Sequence, residues 1–296
     1  MNSNVTLVVP VYNESLGVND FFEQLKGCNF NLINEIIFVN DCSTDDSSKL
    51  IEEKIIQFNK NYPNIKLLLI SNLKNRGYGF SIKKGVNKST NNYIAVIDLD
   101  KTYKIDDLNI LSNQFINEYK FSYDLIAGQR EISVTNTSRL KVLGKSIINK
   151  IANLCFNEKI LDYNSGLRVF DKKKFMKHAH MLSDRFSLTT SMTITFLNEK
   201  YDIKFTKIKY EKRLGKSKLG FNDFFKFLYT IFSLLFYYKP SRIMVPLILP
   251  LFLAFIYFLV QDISSKNITD KTILLFNFNF LSIILLFLTD KINKIK

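Results

Sequence analysis

Two uncharged apolar runs near the C-terminus set the first limit on how this chain can fold. Residues 243–260 carry no charge and approach the roughly 20 apolar residues that a helix needs to cross a bilayer. Residues 272–288 form a shorter uncharged run that includes Asn277 and Asn279. In a soluble domain, about half of each such helix would normally be polar. The sequence therefore predicts a transmembrane hairpin, residues 241–296, with spans at about 243–260 and 272–288 and a short polar link.

The charges beside these runs predict the orientation of the hairpin. Lys239 and Arg242 flank the first run and the tail 290–296 is basic, whereas the link balances two lysines against two aspartates. By the positive-inside rule, both ends of the hairpin face the cytoplasm. We therefore expect a multi-pass protein of the cell (inner) membrane, with its catalytic domain in the cytoplasm.

The segment before the hairpin is aromatic but interrupted by charge. Residues 219–240 contain Asp223 and Lys226, which leave too short an uncharged run for a span. An amphipathic helix in the headgroup layer fits this composition. An ordinary core helix is the alternative.

The overall charge and the cysteines narrow the class of protein. The net charge of +14 favours anionic partners, which include phospholipid headgroups, nucleotides and nucleic acid. A nucleic-acid-binding protein would not need two membrane spans, so we expect no nucleic-acid partner. The three cysteines are too far apart for a zinc site or a disulfide framework, which suits a reducing compartment. The two histidines, His178 and His180, have no third imidazole or cysteine nearby and are expected at the surface.

Residues 1–218 alternate short apolar runs with amphipathic ones, and this predicts the fold class. The expected strands are 6–11, 35–39, 66–70 and 93–98, and the expected helices between them are 15–26, 44–61 and 78–88. Strand and helix in repetition indicate an α/β domain with a doubly wound, mostly parallel sheet. In such sheets ligands bind beyond the carboxyl ends of the strands, so the loops after residues 9, 39 and 97 are the expected site.

The loops that follow the first three predicted strands carry polar residues. Taken alone, none of the three loops establishes a function. The first contains Pro10, Tyr12 and Glu14. The second places Asp41 before a group of small polar residues that suit a helix cap. The third, with Asn75 and Gly77 at a helix start, allows the backbone to approach a ligand closely. Taken alone, the first loop is a weak signal, a structural helix cap is the better explanation of the second, and a turn with a cap would suffice for the third.

The fourth loop is more specific. Asp98 and Asp100 follow a very apolar strand, and acids that emerge from a buried strand are costly unless a cation meets them. Mg²⁺ or Mn²⁺ prefers oxygen ligands, typically one or two carboxylates with substrate phosphates. The alternative is that both acids are simply solvated beyond the end of the strand.

Taken in order, these four loops resemble those of the family 2 glycosyltransferases, especially the polyprenyl-phosphate sugar synthases of the dolichyl-phosphate mannose synthase type. Three later segments strengthen the resemblance, which covers about residues 5–219: Gly128–Arg130, Asp162–Phe170 and Arg213–Leu219. It implies a catalytic domain of the glycosyltransferase A (GT-A, Rossmann-like) type. This chain departs from the family at Thr102, where relatives commonly have glutamine or histidine.

The resemblance also implies roles for individual residues. The residues expected around the nucleotide sugar are Pro10, Tyr12, Glu14, Asp41, Asn75, Gly77 and Asp98. Asp98 and Asp100 would hold Mg²⁺ or Mn²⁺, and the expected catalytic residues are Asp100, Asp162 and Arg168. The cations expected at the acceptor or at phosphate are Arg130, Arg139, Arg213, Lys216 and Lys218. For the last three, a simple membrane-surface patch is an equal alternative.

The implied reaction is the inverting transfer of a hexose-type sugar from a UDP- or GDP-linked donor to a polyprenyl or dolichyl phosphate. If the acceptor were a sugar hydroxyl of a lipid-linked glycan, a carboxylate such as Asp162 would have to take its proton. A non-catalytic membrane scaffold of the same fold is a further alternative, although both acids are present. Processive polysaccharide synthases need a Gln-x-x-Arg-Trp motif, and this chain contains no tryptophan. The sequence leaves a homo-oligomer open.

Overall fold

The structure is a computed structural model that describes residues 4–120, 122–130, 162–211 and 221–295. The chain forms two compact units, Met1–Leu228 and Tyr229–Lys296. Each unit is considered by itself. The predicted domain boundary at residue 218 lies outside the described residues and stays a prediction.

Strands and helices alternate through the first unit, as the sequence predicts. The elements in chain order are β1 (Val5–Val11), α1 (Ser15–Leu25), β2 (Ile33–Asn40), α2 (Ser47–Asn61), β3 (Lys66–Ser71), α3 (Tyr78–Lys88), β4 (Tyr93–Val96) and α4 (Ile105–Asn113), followed by one π-helical turn at Gln114–Glu118. The later elements are β5 (Leu125–Arg130), β6 (Arg168–Asp171), α5 (Lys172–His178), α6 (Leu188–Asn198) and β7 (Ile203–Ile208).

The described strands form one sheet in the order β3-β2-β1-β4-β6-β5-β7. The pairs β3–β2, β2–β1, β1–β4 and β5–β7 are parallel, and β6 runs antiparallel to both of its neighbours. A mostly parallel sheet is therefore confirmed. Because β1 to β4 point the same way, the loops that follow them meet at one edge, where ligands bind in sheets of this kind.

Apolar side chains cover both faces of this sheet, which explains why β1 and β2 are nearly continuous apolar runs. On one face, the rings of Phe22 and Phe38 stack with their centroids 5.4 Å apart, and Phe58 of α2 meets Phe22 edge-on. On the other face, Ile82 of α3 and Met192 of α6 belong to a second apolar cluster. The sheet is thus held rigidly between two helical layers.

One acidic side chain is buried within this sheet. Glu35 of β2 is 1% exposed, and its carboxylate accepts hydrogen bonds from Thr6 Oγ1 at 2.6 Å, Lys66 Nζ at 2.7 Å and the Thr90 backbone N–H at 2.8 Å. Burial works against the charge, but these hydrogen bonds outweigh it and hold the pKa of Glu35 below its ordinary value of 4.5. Glu35 therefore links β1, β2, β3 and the turn before β4.

We expect Glu35→Gln to lower the free energy of unfolding by roughly 2 kcal/mol, because it removes a charge-assisted hydrogen bond and leaves buried donors without an acceptor. In the wild type, the contribution of Glu35 should be fully present above its ordinary pKa and be lost as the pH falls through the lower pKa of the folded state. Denaturant unfolding of both proteins between pH 3 and pH 7 measures this. A constant difference across that range would contradict the assignment.

Three helices follow the sheet domain: α7 (Phe221–Tyr238), α8 (Pro240–Ser265) and α9 (Asp270–Ile295). The segments Pro240–Ser265 and Asp270–Thr289 are long and apolar enough to cross a membrane. None of the most apolar window of the first segment, and 11% of that of the second, is buried in the protein. The two predicted spans lie inside these helices. A helix at 221–238 fits the predicted interfacial segment, whose place in a membrane stays a prediction.

The polar link between the two predicted spans, residues 261–271, is largely helical. Helix α8 continues to Ser265, and Lys266 adopts a left-handed backbone conformation with φ of 51°. The Asp262 carboxylate then accepts hydrogen bonds from the backbone N–H of Thr269 at 2.7 Å and from its hydroxyl at 2.9 Å. This acid closes a tight turn, so the polar residues of the link finish one helix and begin the next.

One of the two asparagines in the second apolar run is buried and makes hydrogen bonds. Asn279 is 3% exposed, and its amide donates to the carbonyls of Leu275 at 2.8 Å and of Leu251, on the facing helix, at 3.3 Å. Polar side chains commonly join neighbouring helices in membranes in this way. Asn279 thus contributes to contact between α8 and α9.

Candidate active site

The two acids singled out by the sequence lie directly beyond the carboxyl end of β4. Asp98 is half-buried and Asp100 is 5% exposed, and Leu99 between them is buried at 1%. Lys101 then takes a left-handed conformation with φ of 67°, which turns the chain towards α4. The apolar Leu99 is therefore inserted into the core while its two charged neighbours are held at the edge of the sheet.

Asp98 is oriented by a tyrosine and given space by a glycine. The Tyr78 hydroxyl donates a hydrogen bond to Asp98 Oδ1 at 2.9 Å. A Cβ atom at Gly166 would lie 2.4 Å from Asp98 Oδ2, so no larger residue fits there without displacing the carboxylate. Burial and the adjacent Asp98 charge raise the pKa of Tyr78 well above its ordinary value, so its hydroxyl remains a donor.

Asp100 is oriented by the residue at which the chain departs from the family. The Thr102 hydroxyl donates to Asp100 Oδ1 at 2.5 Å, and the Thr102 backbone N–H donates to the same oxygen at 3.1 Å. Beyond it, the Tyr103 hydroxyl accepts a hydrogen bond from the Gly166 backbone N–H at 2.8 Å. The loop after β4 is thereby joined to the segment that precedes β6.

Asp41, at the end of β2, is 3% exposed and binds the loop that leads into α3. Its carboxylate accepts from the Asn72 amide at 2.7 Å and from the backbone N–H groups of Arg76 at 2.8 Å and Gly77 at 2.7 Å. The Asn75 amide lies 3.5 Å from the Asp41 carbonyl. Asp41 thus holds the backbone of the predicted nucleotide-binding loop in place.

Gly77 in this loop is required for two reasons. Its φ of 106° is disfavoured for any residue with a side chain, and a Cβ there would come within 2.6 Å of the Asp184 carbonyl oxygen. The segment around Asp184 precedes α6, far along the chain. It also supplies Phe186, whose ring stacks on Tyr78 with a centroid separation of 5.8 Å.

The loop after β1 is tied to the loop after β2. The Asn13 backbone N–H donates to Ser43 Oγ at 3.0 Å, and the Glu14 N–H donates to Ser47 Oγ at 2.8 Å. Tyr12 and Glu14 are half-buried beside these bonds, and Pro10 pairs in register with Val39. The structure therefore brings the first two predicted nucleotide loops together.

The predicted base Asp162 and the predicted phosphate ligand Arg130 form an ion pair with each other. Arg130 Nε and a terminal guanidinium nitrogen donate to the two carboxylate oxygens at 2.6 and 2.7 Å. The Asp162 side chain is 2% exposed and that of Arg130 is 15% exposed. Burial opposes the charge of Arg130, but the hydrogen bond to Asp162 outweighs it and raises the pKa of the guanidinium. The sequence analysis assigns a separate partner to each residue and does not predict this pairing.

Arg168, which the sequence predicts to be catalytic, is buried and hydrogen-bonded within the protein, and its catalytic role stays a prediction. Arg168 is 2% exposed and donates to the carbonyls of Ser165 and Tyr163 and to Thr193 Oγ1, each at 2.8 Å. Burial lowers the pKa of Arg168 to about 10, so it remains charged at neutral pH. Through these three hydrogen bonds, Arg168 joins the segment 162–166 to α6.

The prediction that both histidines lie at the surface holds for His180 and is wrong for His178. His178 is 5% exposed, and its Nε2 lies 3.0 Å from the Tyr201 hydroxyl. Burial lowers the pKa of His178. Aromatic packing explains this histidine, since its ring meets that of Tyr201 edge-on.

Several predicted cations fall outside the described residues, namely Arg139, Arg213, Lys216 and Lys218. Within residues 4–120, 122–130, 162–211 and 221–295, no group of three or more His, Cys, Asp or Glu side chains is arranged to hold a metal ion. Two carboxylates, as at Asp98 and Asp100, are a donor set that Mg²⁺ commonly shares with water and substrate phosphates.

The Arg130–Asp162 pair predicts a strong energetic coupling. We expect Asp162→Asn and Arg130→Met each to lower the free energy of unfolding by about 3 kcal/mol, because each leaves a buried charge without its partner. The double variant should lose about 2 kcal/mol less than the sum of the two. Denaturant titration measures these values. The partly exposed Lys101–Asp20 pair, 2.9 Å apart, is the control, with an expected coupling below about 1 kcal/mol. Equal coupling in the two cycles would contradict the prediction.

Comparisons with known proteins show which family and which relatives the sheet domain is similar to. The family model described as Glycosyl transferase family 2 matches residues 6–179. An uncharacterized glycosyltransferase, YkcC of Bacillus subtilis (strain 168), is 30% identical over 131 residues, which are 42% of this chain and 36% of that protein. The dolichyl-phosphate beta-glucosyltransferase of Dictyostelium discoideum is 24% identical over 136 residues, 44% of this chain and 40% of that protein. The chain thus matches well under half the length of these two relatives.

A longer match extends beyond the sheet domain. The undecaprenyl-phosphate 4-deoxy-4-formamido-L-arabinose transferase of Proteus mirabilis (strain HI4320) is 22% identical over 237 residues, 79% of this chain and 68% of that protein. Among solved structures, glucosyl-3-phosphoglycerate synthase from Mycobacterium tuberculosis, in complex with Mn²⁺, UDP and phosphoglyceric acid, superimposes with a TM-score of 0.60 at 10% identity, over 78% of each chain.

These findings confirm the fold class expected from the sequence, a GT-A-like α/β domain followed by two apolar helices that are candidate spans. Because the family model covers more than half of its residues, the chain belongs to glycosyl transferase family 2.

Proposed function

We propose that this chain is a metal-dependent, inverting hexosyltransferase that moves a sugar from a UDP- or GDP-linked donor to a polyprenyl or dolichyl phosphate at the cytoplasmic face of a membrane. The observation that carries the proposal is the pair of oriented acids, Asp98 and Asp100, at the ligand-binding edge of a family 2 sheet. Relatives named for dolichyl-phosphate and undecaprenyl-phosphate transfer support the class of acceptor.

The donor set at this edge fits Mg²⁺ or Mn²⁺. Asp98 and Asp100 offer hard oxygen ligands, and the space kept by Gly166 allows the Asp98 carboxylate to lie at the surface of the site. The structural neighbour that was solved with Mn²⁺ and UDP supports the same kind of cofactor here. When bound, such an ion supplies positive charge that stabilises the departing diphosphate.

The other proposed contacts follow the loops at the same edge. The nucleoside lies against the first two loops, which include Pro10, Tyr12, Glu14 and Asp41, and the loop of Asn75 and Gly77 approaches the diphosphate. Arg130, Arg139, Arg213, Lys216 and Lys218 remain the proposed cations for acceptor and phosphate. In that role, the Arg130 guanidinium would bind the phosphate while it also donates hydrogen bonds to Asp162.

The chemistry needs little proton transfer if the acceptor is a phosphate. A phosphate monoester has a second pKa near 6, so its nucleophilic oxygen is mostly ionised at neutral pH. In-line attack on the sugar carbon would then invert its configuration, and positioning and electrostatics would dominate catalysis.

A transferase that acts on a sugar hydroxyl is the second candidate, and the Arg130–Asp162 pair argues against it. That reaction needs a carboxylate base, and Asp162 is the sequence's candidate. Here both carboxylate oxygens of Asp162 already accept hydrogen bonds from the Arg130 guanidinium, so neither is directed at an acceptor hydroxyl. The non-catalytic scaffold is the third candidate, and it would have no use for two oriented acids.

The C-terminal helices support a membrane location in this proposal. Their side chains include many exposed apolar groups, such as Leu247 at 65%, Leu274 at 71% and Phe287 at 60%. An apolar surface of this extent is unfavourable in water and suits lipid. We further propose that α7 lies in the headgroup layer and that Lys239 and Arg242 keep the ends of the hairpin in the cytoplasm.

A donor and acceptor screen tests the proposal. Purified full-length protein in detergent, with Mg²⁺ or Mn²⁺ and labelled UDP- or GDP-sugars, should form an organic-extractable product with polyprenyl phosphate and none with a lipid-linked glycan. Product only with the glycan would favour the hydroxyl-directed transferase. No transfer from any donor, with Mn²⁺ bound, would favour the scaffold.

Removal of either acid gives a direct prediction. We expect Asp98→Asn and Asp100→Asn each to lower kcat by about 100-fold or more, because less positive charge is then held at the leaving group. Asp106→Asn, which changes an exposed acid in the first turn of α4, is the matched control and should keep near wild-type turnover. Excess EDTA should abolish transfer and added Mn²⁺ should restore it. Unchanged turnover in both variants, or in EDTA, would contradict the metal assignment.

A further inference from the structure

The two acids share a feature that the proposed reaction does not by itself require. Each accepts a hydrogen bond from a neighbouring hydroxyl at its Oδ1 atom, Asp98 from Tyr78 at 2.9 Å and Asp100 from Thr102 at 2.5 Å. The two hydroxyls come from different elements, one from the start of α3 and the other from the loop after β4. Two carboxylates are thus oriented independently by the same kind of contact.

Tyr78 is itself fixed in place. Its ring stacks on Phe186 with an interplanar angle of 17°, and α3 begins at this residue because Gly77 can adopt the preceding backbone conformation. The Phe80 backbone N–H donates to the Asp184 carbonyl at 3.0 Å, which ties the first turn of α3 to the same segment. The phenol therefore approaches Asp98 from a rigid support.

Thr102 is equally constrained. It is 1% exposed, and both its hydroxyl and its backbone N–H point to one oxygen of Asp100. Its carbonyl accepts a hydrogen bond from the Glu211 backbone N–H at 3.1 Å. The neighbouring Tyr103 is bound to Gly166. Contacts on three sides thus define where the Thr102 hydroxyl lies.

A carboxylate turns easily about its last side-chain bond, because that torsion has broad minima. A hydrogen bond to one oxygen removes this freedom before any ligand arrives, and second contacts of this kind orient metal ligands in proteins. A threonine side chain that is turned back onto Asp100 orients that acid.

We propose that Tyr78 and Thr102 are positioning residues that preset the Asp98 and Asp100 carboxylates for the divalent cation of the donor complex, each by holding one oxygen. This inference rests on the proposed function and deepens it. It assigns the residue at which the chain departs from its family to ligand orientation.

The test compares hydroxyl deletions in the full-length protein. Mn²⁺ binding is measured by electron paramagnetic resonance with UDP or GDP present, whichever strengthens Mn²⁺ binding to the wild type, and kcat and KM are measured across a range of Mn²⁺ concentrations. The variants are Tyr78→Phe and Thr102→Val, with Thr102→Ser as the conservative rescue. The control is Thr206→Val, which removes a hydroxyl of β7 that donates a hydrogen bond to Gln114 at 2.7 Å.

We expect Tyr78→Phe and Thr102→Val each to weaken Mn²⁺ binding by roughly 10- to 100-fold, the usual effect of removing a contact behind a metal ligand. Their lowered turnover should recover as Mn²⁺ is raised, which a general loss of folding would not do. Thr102→Ser should lie within about threefold of the wild type, and Thr206→Val should bind Mn²⁺ as the wild type does. If Thr102→Val does not fold, Thr102→Ala takes its place.

The failures of the two proposals are distinguishable. If the wild type binds Mn²⁺ and transfers sugar while both deletions match it within about twofold, the positioning role is overturned and the proposed function stands. A turnover loss that excess Mn²⁺ does not relieve, or that Thr102→Ser shares fully, also overturns it. If the wild type binds no Mn²⁺ even with nucleotide, the proposed function fails and this inference falls with it.

Discussion

The charge of two acids at the end of a buried strand is the constraint around which the site is arranged. β4 is apolar and is paired on both sides, and Asp98 is the first side chain after it that is not fully buried. Charges at such a point are costly unless donors or cations stand close by. In this structure, the hydroxyls of Tyr78 and Thr102 donate hydrogen bonds to the two acids, and a glycine leaves the Asp98 carboxylate unobstructed. Much of the surrounding structure serves to hold those three groups.

The loops at this edge are held by side chains that bond to backbone rather than by regular secondary structure. Asp41 accepts hydrogen bonds from two successive backbone N–H groups, and Asp45 accepts hydrogen bonds from the N–H groups of Ser15 and Ser47. Arg168 does the reverse by donating to two carbonyls. The bonds that Asp41 accepts, and the bond from Ser15 to Asp45, join segments that are distant in the chain, so these loops support one another. Rigid supports of this kind favour precise ligand geometry.

The sequence predicted what depends on local pattern. Periodicity located β1 to β4 and the first three helices, and the acids at 98 and 100 stood out because their strand is so apolar. Contacts between distant residues left no such signal: the stacking of Phe186 on Tyr78, the pairing of Arg130 with Asp162, and the antiparallel direction of β6 all depend on tertiary structure. The burial of Arg168 is of the same kind, because the sequence around it does not reveal that the side chain lies inside the protein. The glycine at 166 was within a recognised segment, but its purpose became visible only beside Asp98.

The turn at Lys266 has a consequence for how the C-terminal unit reaches its final place. Asp262 and Thr269 close the connection tightly, and α8 and α9 run side by side. In the proposed membrane location, such a pair would enter the bilayer as one element, and only its short polar tip would have to be carried across. The start of α8 and the end of α9 would then lie on the same side of that membrane, and a reporter fused after residue 296 would mark the same compartment as Lys239.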